Sequence, residues 1–202
     1  MSAAPLHAGR VYLDHNATTP VDPAVIAAVA EAMRDEFGNA SSVHHFGQKA
    51  KGRLDEARQQ VAALIGGAPS EVVFTSGGTE ADNLAVRGAA EALESMGRRH
   101  LVTSAIEHEA ILRTMTALER RGWRITRVAP DRHGVVSPEA IADALTDDTA
   151  LLSLMHGNNE VGTLQPVRAC AAIARARGII VHTDAVQTVG KVPVDARDLD
   201  VD

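Results

Sequence analysis

Apolar positions in this chain come in two patterns that alternate along most of its length. Short runs read as strands, Val72 to Thr75, His100 to Ser104, Arg124 to Val128, Ala150 to Met155 and Ile179 to Thr183, and Ala150 to Met155 is apolar at nearly every position, as a strand buried on both faces should be. Between them lie stretches with a helical repeat. Helices are predicted from Pro23 to about Glu36, from Gln48 to Ile65 with Gly66-Gly67 as the stop, from near Thr79, from Ala110 to Arg121, from Ser137-Pro138 to about Leu145, and from Val167 to Arg177 before Gly178. In the helix after Thr79, Ala81, Leu84, Ala85, Gly88 and Ala92 share one narrow face of small residues, suited to packing on a sheet. Strand and helix alternating through short connections give an α/β fold, a mostly parallel sheet with helices on both faces. No internal repeat or low-complexity tract interrupts it.

Composition narrows this picture. Apolar residues make up 45% of the 202, enough for a core, but aromatics are only 2%, so that core is built from Ala, Val, Leu and Ile in tight layers. The net charge of −6, from 26 acidic and 20 basic residues with no long basic tract, argues against nucleic acid or an anionic membrane as partner. The amino-terminal residues lack a charged segment followed by an apolar run, and no apolar segment approaches the ~18 residues of a membrane span, so a soluble cytoplasmic protein is expected. The single cysteine, Cys170, has no partner for an internal disulfide; sharing a helix face with Val167, Ala171 and Ala174, it reads as buried and structural.

The candidate chemistry sits where predicted strands end. Val72-Val73-Phe74-Thr75-Ser76-Gly77-Gly78-Thr79-Glu80 runs from a strand through two glycines into a helix, whose free amides and positive dipole end favour a phosphate, with the Thr79 hydroxyl as a further donor. It is neither a nucleotide P-loop nor Gly-x-Gly-x-x-Gly, and alone it fits equally a turn capped by Thr79. Glu107-His108-Glu109, His156-Gly157-Asn158-Asn159-Glu160 and Asp184-Ala185-Val186-Gln187 follow three other strands. In open parallel sheets ligands gather outside the carboxyl ends of strands, so these groups are expected to share a site. His44-His45 lies in a long polar loop without further ligands at helical spacing and reads as solvated or substrate-edge histidines, with no metal site expected.

A phosphate cradle, an imidazole, amide donors and a strand-end carboxylate together suit pyridoxal phosphate. Its pyridine nitrogen draws electrons only while protonated, and Asp184 is placed to hold that proton; Asn159 and Gln187 offer donors to the ring oxygen, and His108 a stacking ring that moves protons.

Six motifs then carry a family resemblance: Tyr12-Leu13-Asp14-His15-Asn16-Ala17-Thr18-Thr19-Pro20, Gly38-Asn39-Ala40-Ser41-Ser42-Val43-His44, Phe74 to Asn83, Thr103-Ser104-Ala105-Ile106-Glu107-His108, Asn158-Asn159-Glu160-Val161-Gly162-Thr163 and His182-Thr183-Asp184-Ala185-Val186-Gln187. In this order they resemble the cysteine desulfurases of the class V aminotransferase family. The resemblance implies a type I pyridoxal-phosphate transferase fold, with residues 1–15 associated with a small domain and 16–202 forming a partial large cofactor-binding domain, incomplete at its carboxyl end. It implies conversion of L-cysteine to L-alanine with sulfur left as an enzyme persulfide, passed to an acceptor or scaffold protein for iron-sulfur clusters or thiolated cofactors, in a homodimer. By position it assigns Gly78 and Thr79 to the phosphate, His108 to stacking and proton exchange, Asn159 and Gln187 to the ring oxygen, and Asp184 to the ring nitrogen. The family's Schiff-base lysine, persulfide cysteine and substrate-carboxylate arginine are expected beyond Asp202, so neither Lys191 nor Cys170 takes those roles. A selenocysteine lyase or other class V enzyme, or a non-catalytic binding fragment, are the alternatives. A chain of this length alone is expected to self-associate rather than persist as a monomer.

Overall fold

Four parallel strands form the single sheet of the computed structural model, which describes residues 9–202. The chain falls into two units that divide after Gly52. In the first, helix α1 (Pro23–Asp35) starts with Asp22 accepting the Ala24 amide at 2.7 Å and with Pro23 in its first turn, where the missing N–H costs nothing. Helix α2 (His45–Leu64), which runs across the division, begins three residues earlier than its periodicity suggests, because the His44 ring accepts the Gly47 amide at 3.3 Å and the loop before it closes on the first turn. Gly38 allows that closure: a Cβ there would collide with the Phe46 carbonyl. The Phe37 and Phe46 rings stack at 5.5 Å. Part of the expected 1–15 segment lies outside the described residues.

In the second unit, a 3₁₀ turn (Pro69–Glu71) leads through an extended stretch to α3 (Gly78–Glu94). Then follow β1 (His100–Ser104), α4 (Glu109–Glu119), β2 (Arg124–Val128), α5 (Pro138–Ala144), β3 (Thr149–Ser153), α6 (Val167–Arg175), β4 (Ile180–His182) and the short α7 (Ala196–Leu199). The strand order β2-β1-β3-β4 is parallel throughout. Chain direction across the sheet reverses between β1 and β3, so their carboxyl ends flank a switch point. Alternation along β1 divides the core, with Leu101 joining Val86, Ile111, Met115 and Leu118 of α3 and α4. Val102 turns to the other side and joins Ile141, Val167, Cys170, Ala171 and Ala174 of α5 and α6. Helices thus cover both faces, as the pattern predicts. At the amino end of β1 the buried His100 bonds Thr149 Oγ1 at 2.8 Å and Thr126 Oγ1 at 2.9 Å, and burial pushes its pKa down to about 4; it is a satisfied core histidine.

Two expectations fail. Val72 to Thr75 is extended but pairs with no strand among the described residues, and Val73 and Phe74 are exposed. A run becomes a strand only when another segment takes up its amides and carbonyls. Here the Val72 carbonyl accepts instead from the Arg58 guanidinium, which also lies 5.0 Å over the Phe74 ring. On α3 the buried positions are Asp82, Val86 and Ala90, flanked by Ala89 and Leu93, whereas Ala81, Leu84, Ala85, Gly88 and Ala92 face outward.

Candidate functional site

The carboxyl ends of the strands bring most of the expected residues to one end of the sheet. Helix α3 begins at Gly78 without any side-chain cap at Gly77, so the amides of its first turn remain available to a ligand. The Glu80 carboxylate instead folds back on Ser76, accepting its amide at 2.6 Å and its hydroxyl at 2.7 Å, which fixes the turn before the helix. A Cβ on Gly78 would stand 3.0 Å from Val186 Cγ2, so the start of α3 packs against the turn that carries Asp184. Only glycine fits without displacing that valine.

His108 is the N-cap of α4, its Nδ1 accepting the Ala110 amide at 3.2 Å. Acceptance at Nδ1 assigns the proton of the neutral ring to Nε2, which faces away from the cap. Thr79 and His108 line one open cavity of about 390 Å³ between α3 and α4, with Asn83, Arg87 and Arg113. Thr114 Oγ1 donates to Asn83 Oδ1 at 2.8 Å and ties the two helices below this cavity.

Asp184, 9% exposed, follows β4 and accepts the Val186 amide at 2.9 Å. Its carbonyl accepts the His156 amide at 2.8 Å, and His156 Nδ1 meets Thr188 Oγ1 at 2.9 Å, so the loops after β3 and β4 are bonded together. Asn159, half-buried, donates to Glu160 Oε1 at 3.1 Å, and Gln187 accepts from the Lys191 ammonium at 2.8 Å. Asn159 and Gln187 stand on the same two loops as His156 and Asp184. Lys191 is exposed, and Cys170 is fully buried in α6, where burial raises its thiol pKa to about 11; neither has the setting of a nucleophile.

Sequence reasoning missed the ionisable groups packed beneath this end. Asp82 of α3 is 5% exposed, and burial, with the Asp184 carboxylate as second cause, pushes its pKa up to about 7. His182 Nε2 lies 3.7 Å from Asp82 Oδ1 while its Nδ1 meets Ser153 Oγ at 3.0 Å, and burial drives its pKa down to about 4. Both shifts favour the neutral forms, and with the imidazole neutral this contact is not an ion pair. The signal in the sequence was a histidine directly after the apolar run Ile179-Ile180-Val181, on the same strand. Glu107 is buried beside them, its pKa raised to about 7 by burial against the lowering effect of bonds from Ser104 and the Met155 amide. Among the described residues no cluster of three or more metal-ligating side chains occurs, and no helix is long and apolar enough to cross a membrane.

Comparison with known proteins follows the same residues. The profile of the aminotransferase class-V family matches residues 11–202. Curated relatives named "Cysteine desulfurase IscS" are 46% identical over 192 residues in Dictyoglomus turgidum and 48% identical over 195 residues in Escherichia coli, in each case covering 95% of this chain and 48% of the relative. The chain therefore spans about half the length of the curated relatives it matches. Among solved structures, a "NifS-like protein" superposes with a TM-score of 0.92 at 41% identity, over 96% of this chain and 53% of its own. DndA from Streptomyces lividans superposes with a TM-score of 0.81 at 44% identity, over 94% of this chain and 52% of its own. "SspA in complex with cysteine" superposes at 0.91 with 36% identity, over 95% of this chain and 55% of its own.

Proposed function

The chain belongs to the aminotransferase class-V family, and from that premise we propose that it supplies the pyridoxal-phosphate end of a cysteine desulfurase, which takes sulfur from L-cysteine and releases L-alanine. The observation that carries the reading is the 46–48% identity to proteins named as desulfurases over 95% of the chain. The residues fit the cofactor. An uncapped helix start with a glycine closely approached by Val186 suits a phosphate, and a buried strand-end carboxylate suits a pyridinium nitrogen.

When bound, pyridoxal phosphate supplies an electron sink for the α-carbon of an amino acid. The protein's part is binding, orientation and proton control. Gly78 and Thr79 hold the phosphate through first-turn amides and the threonine hydroxyl. Asp184 keeps a proton on the ring nitrogen, and its bond from the Val186 amide fixes the direction of the carboxylate. His108 stacks on the ring, and with Nδ1 engaged in the cap it exchanges protons through Nε2. Asn159 and Gln187 donate to the ring oxygen. Sulfur then passes to an acceptor or scaffold protein, and the working unit is a cytoplasmic homodimer. The activity belongs to the complete family fold. The test is product analysis: full-length protein incubated with pyridoxal phosphate and L-cysteine is expected to yield alanine and reducible sulfur in equal amounts. Cysteine recovered unchanged, or pyruvate in place of alanine, would contradict the assignment.

A further inference from the structure

This reading uses His108, Asn159 and Asp184 but leaves unexplained the carboxyl buried between the loops that carry the first two. Glu107 is 5% exposed at the end of the β1 loop. Its Oε1 accepts from Ser104 Oγ at 2.6 Å and from the Met155 amide, just past β3, at 2.9 Å. Oε2 is buried with no hydrogen-bond partner among the described residues. A second crossing lies beside it. Asn158 Nδ2 donates to the Ile106 carbonyl at 3.0 Å while its Oδ1 accepts the Glu160 and Val161 amides at 2.9 Å each. The loop bearing His108 and the loop bearing Asn159 are therefore joined by side-chain bonds across the switch point.

We propose that Glu107 is a positioning residue, tying the His108 loop to the Asn159 loop so that the stacking imidazole and the amide offered to the ring oxygen keep a fixed spacing. The inference rests on the pyridoxal-phosphate reading. The role needs hydrogen-bond acceptance at Oε1 and not a negative charge. A charge there would be buried with no partner for Oε2, and burial holds the carboxyl up to about 7. Glutamine keeps the acceptor oxygen and the shape; alanine removes the tie.

The experiment titrates pyridoxal phosphate into full-length protein and its E107Q, E107A and Q165A variants. It reads affinity by equilibrium dialysis, induced circular dichroism per bound cofactor at saturation, and melting temperature. Gln165 is the control for a purely structural tie, since its side chain bonds Val136 N at 2.9 Å and the Gly134 carbonyl at 2.7 Å without touching His108 or Asn159. Expected are an E107Q variant within about twofold of the parent affinity with unchanged dichroism, and an E107A variant weakened about tenfold with at least about half its dichroism lost. Q165A should melt earlier and keep the parent dichroism. Parent dichroism in saturated E107A, or an E107Q variant as defective as E107A, would overturn the proposal. If E107A does not fold, Ser104→Ala, which removes one bond to Oε1, replaces it; partial loss of dichroism supports the role and an unchanged signal overturns it. A parent protein that binds no pyridoxal phosphate fails at the functional reading, before any variant is compared, and takes this inference with it.

Discussion

Replacing Asp82 by asparagine should change how stability depends on pH more than it changes stability itself. In the folded protein the Asp82 carboxyl is pushed from 3.8 to about 7, first by burial and second by the Asp184 carboxylate. A carboxyl whose folded pKa is raised binds its proton more tightly in the fold, so its contribution is most favourable below 3.8 and is lost as pH climbs to about 7. At about 1.4 kcal/mol per unit the full interval is worth about 4 kcal/mol, of which about 2–3 kcal/mol falls between about pH 5 and pH 8. Asparagine does not titrate. His182 acts with the opposite sign, since a pKa lowered to about 4 costs stability as pH falls from 6.5, but it is common to both proteins, as is Glu107. Urea melts of both proteins at about pH 5 and pH 8 isolate the difference. The variant should gain about 2–3 kcal/mol on the parent over that range, or about 5–10 °C in melting temperature. Parallel stability curves, with a constant offset, would show that Asp82 ionises normally in the fold.

Three further expectations concern the site. Asp184→Asn should slow turnover by a factor of about 100 or more, about 2.7 kcal/mol in barrier, while phosphate-end binding survives; unchanged kinetics would remove Asp184 from the ring nitrogen. Gly78→Ala should cost at most about 1 kcal/mol, because its Cβ would meet only Val186 Cγ2, at 3.0 Å, on an exposed side chain that can give way, and adding Val186→Ala should recover that cost; additive losses in the double-mutant cycle would deny the contact. Cys170 should react with a thiol reagent only at the rate of unfolding, given its burial and a pKa of about 11; rapid labelling of the folded protein would contradict this.

What could be read from the sequence follows from which interactions are local. The run that holds β3, Ala150 to Met155, is apolar enough to announce a strand buried on both faces, and Gly122 and Gly178 mark helix ends by backbone conformation, each at positive φ. The gathering of the turn before α3 and the loops after β1, β3 and β4 at one end of the sheet was legible because parallel strands put their carboxyl ends on one side. Val72 to Thr75 was misread because propensity does not supply a pairing partner. The inward face of α3 was misread for a related reason: two apolar stripes compete on that helix, and the buried one carries an ionisable residue, Asp82, which sequence alone scores as outward. Glu107 and Asn158 stood in the motifs, but their cross-loop bonds are to Met155 and Ile106, partners 48 and 52 residues distant.

The central claim is that the start of α3 and the loops after β1, β3 and β4 form one pyridoxal-phosphate site. Amide resonances of isotopically labelled protein, followed through a pyridoxal-phosphate titration, test it directly. The account predicts saturable shifts at Gly78, Thr79, His108, Asn159 and Asp184 to Gln187 with a single dissociation constant. Shifts confined to the surroundings of Lys191 or of other surface lysines, with the α3 start and Asp184 unmoved, would contradict it.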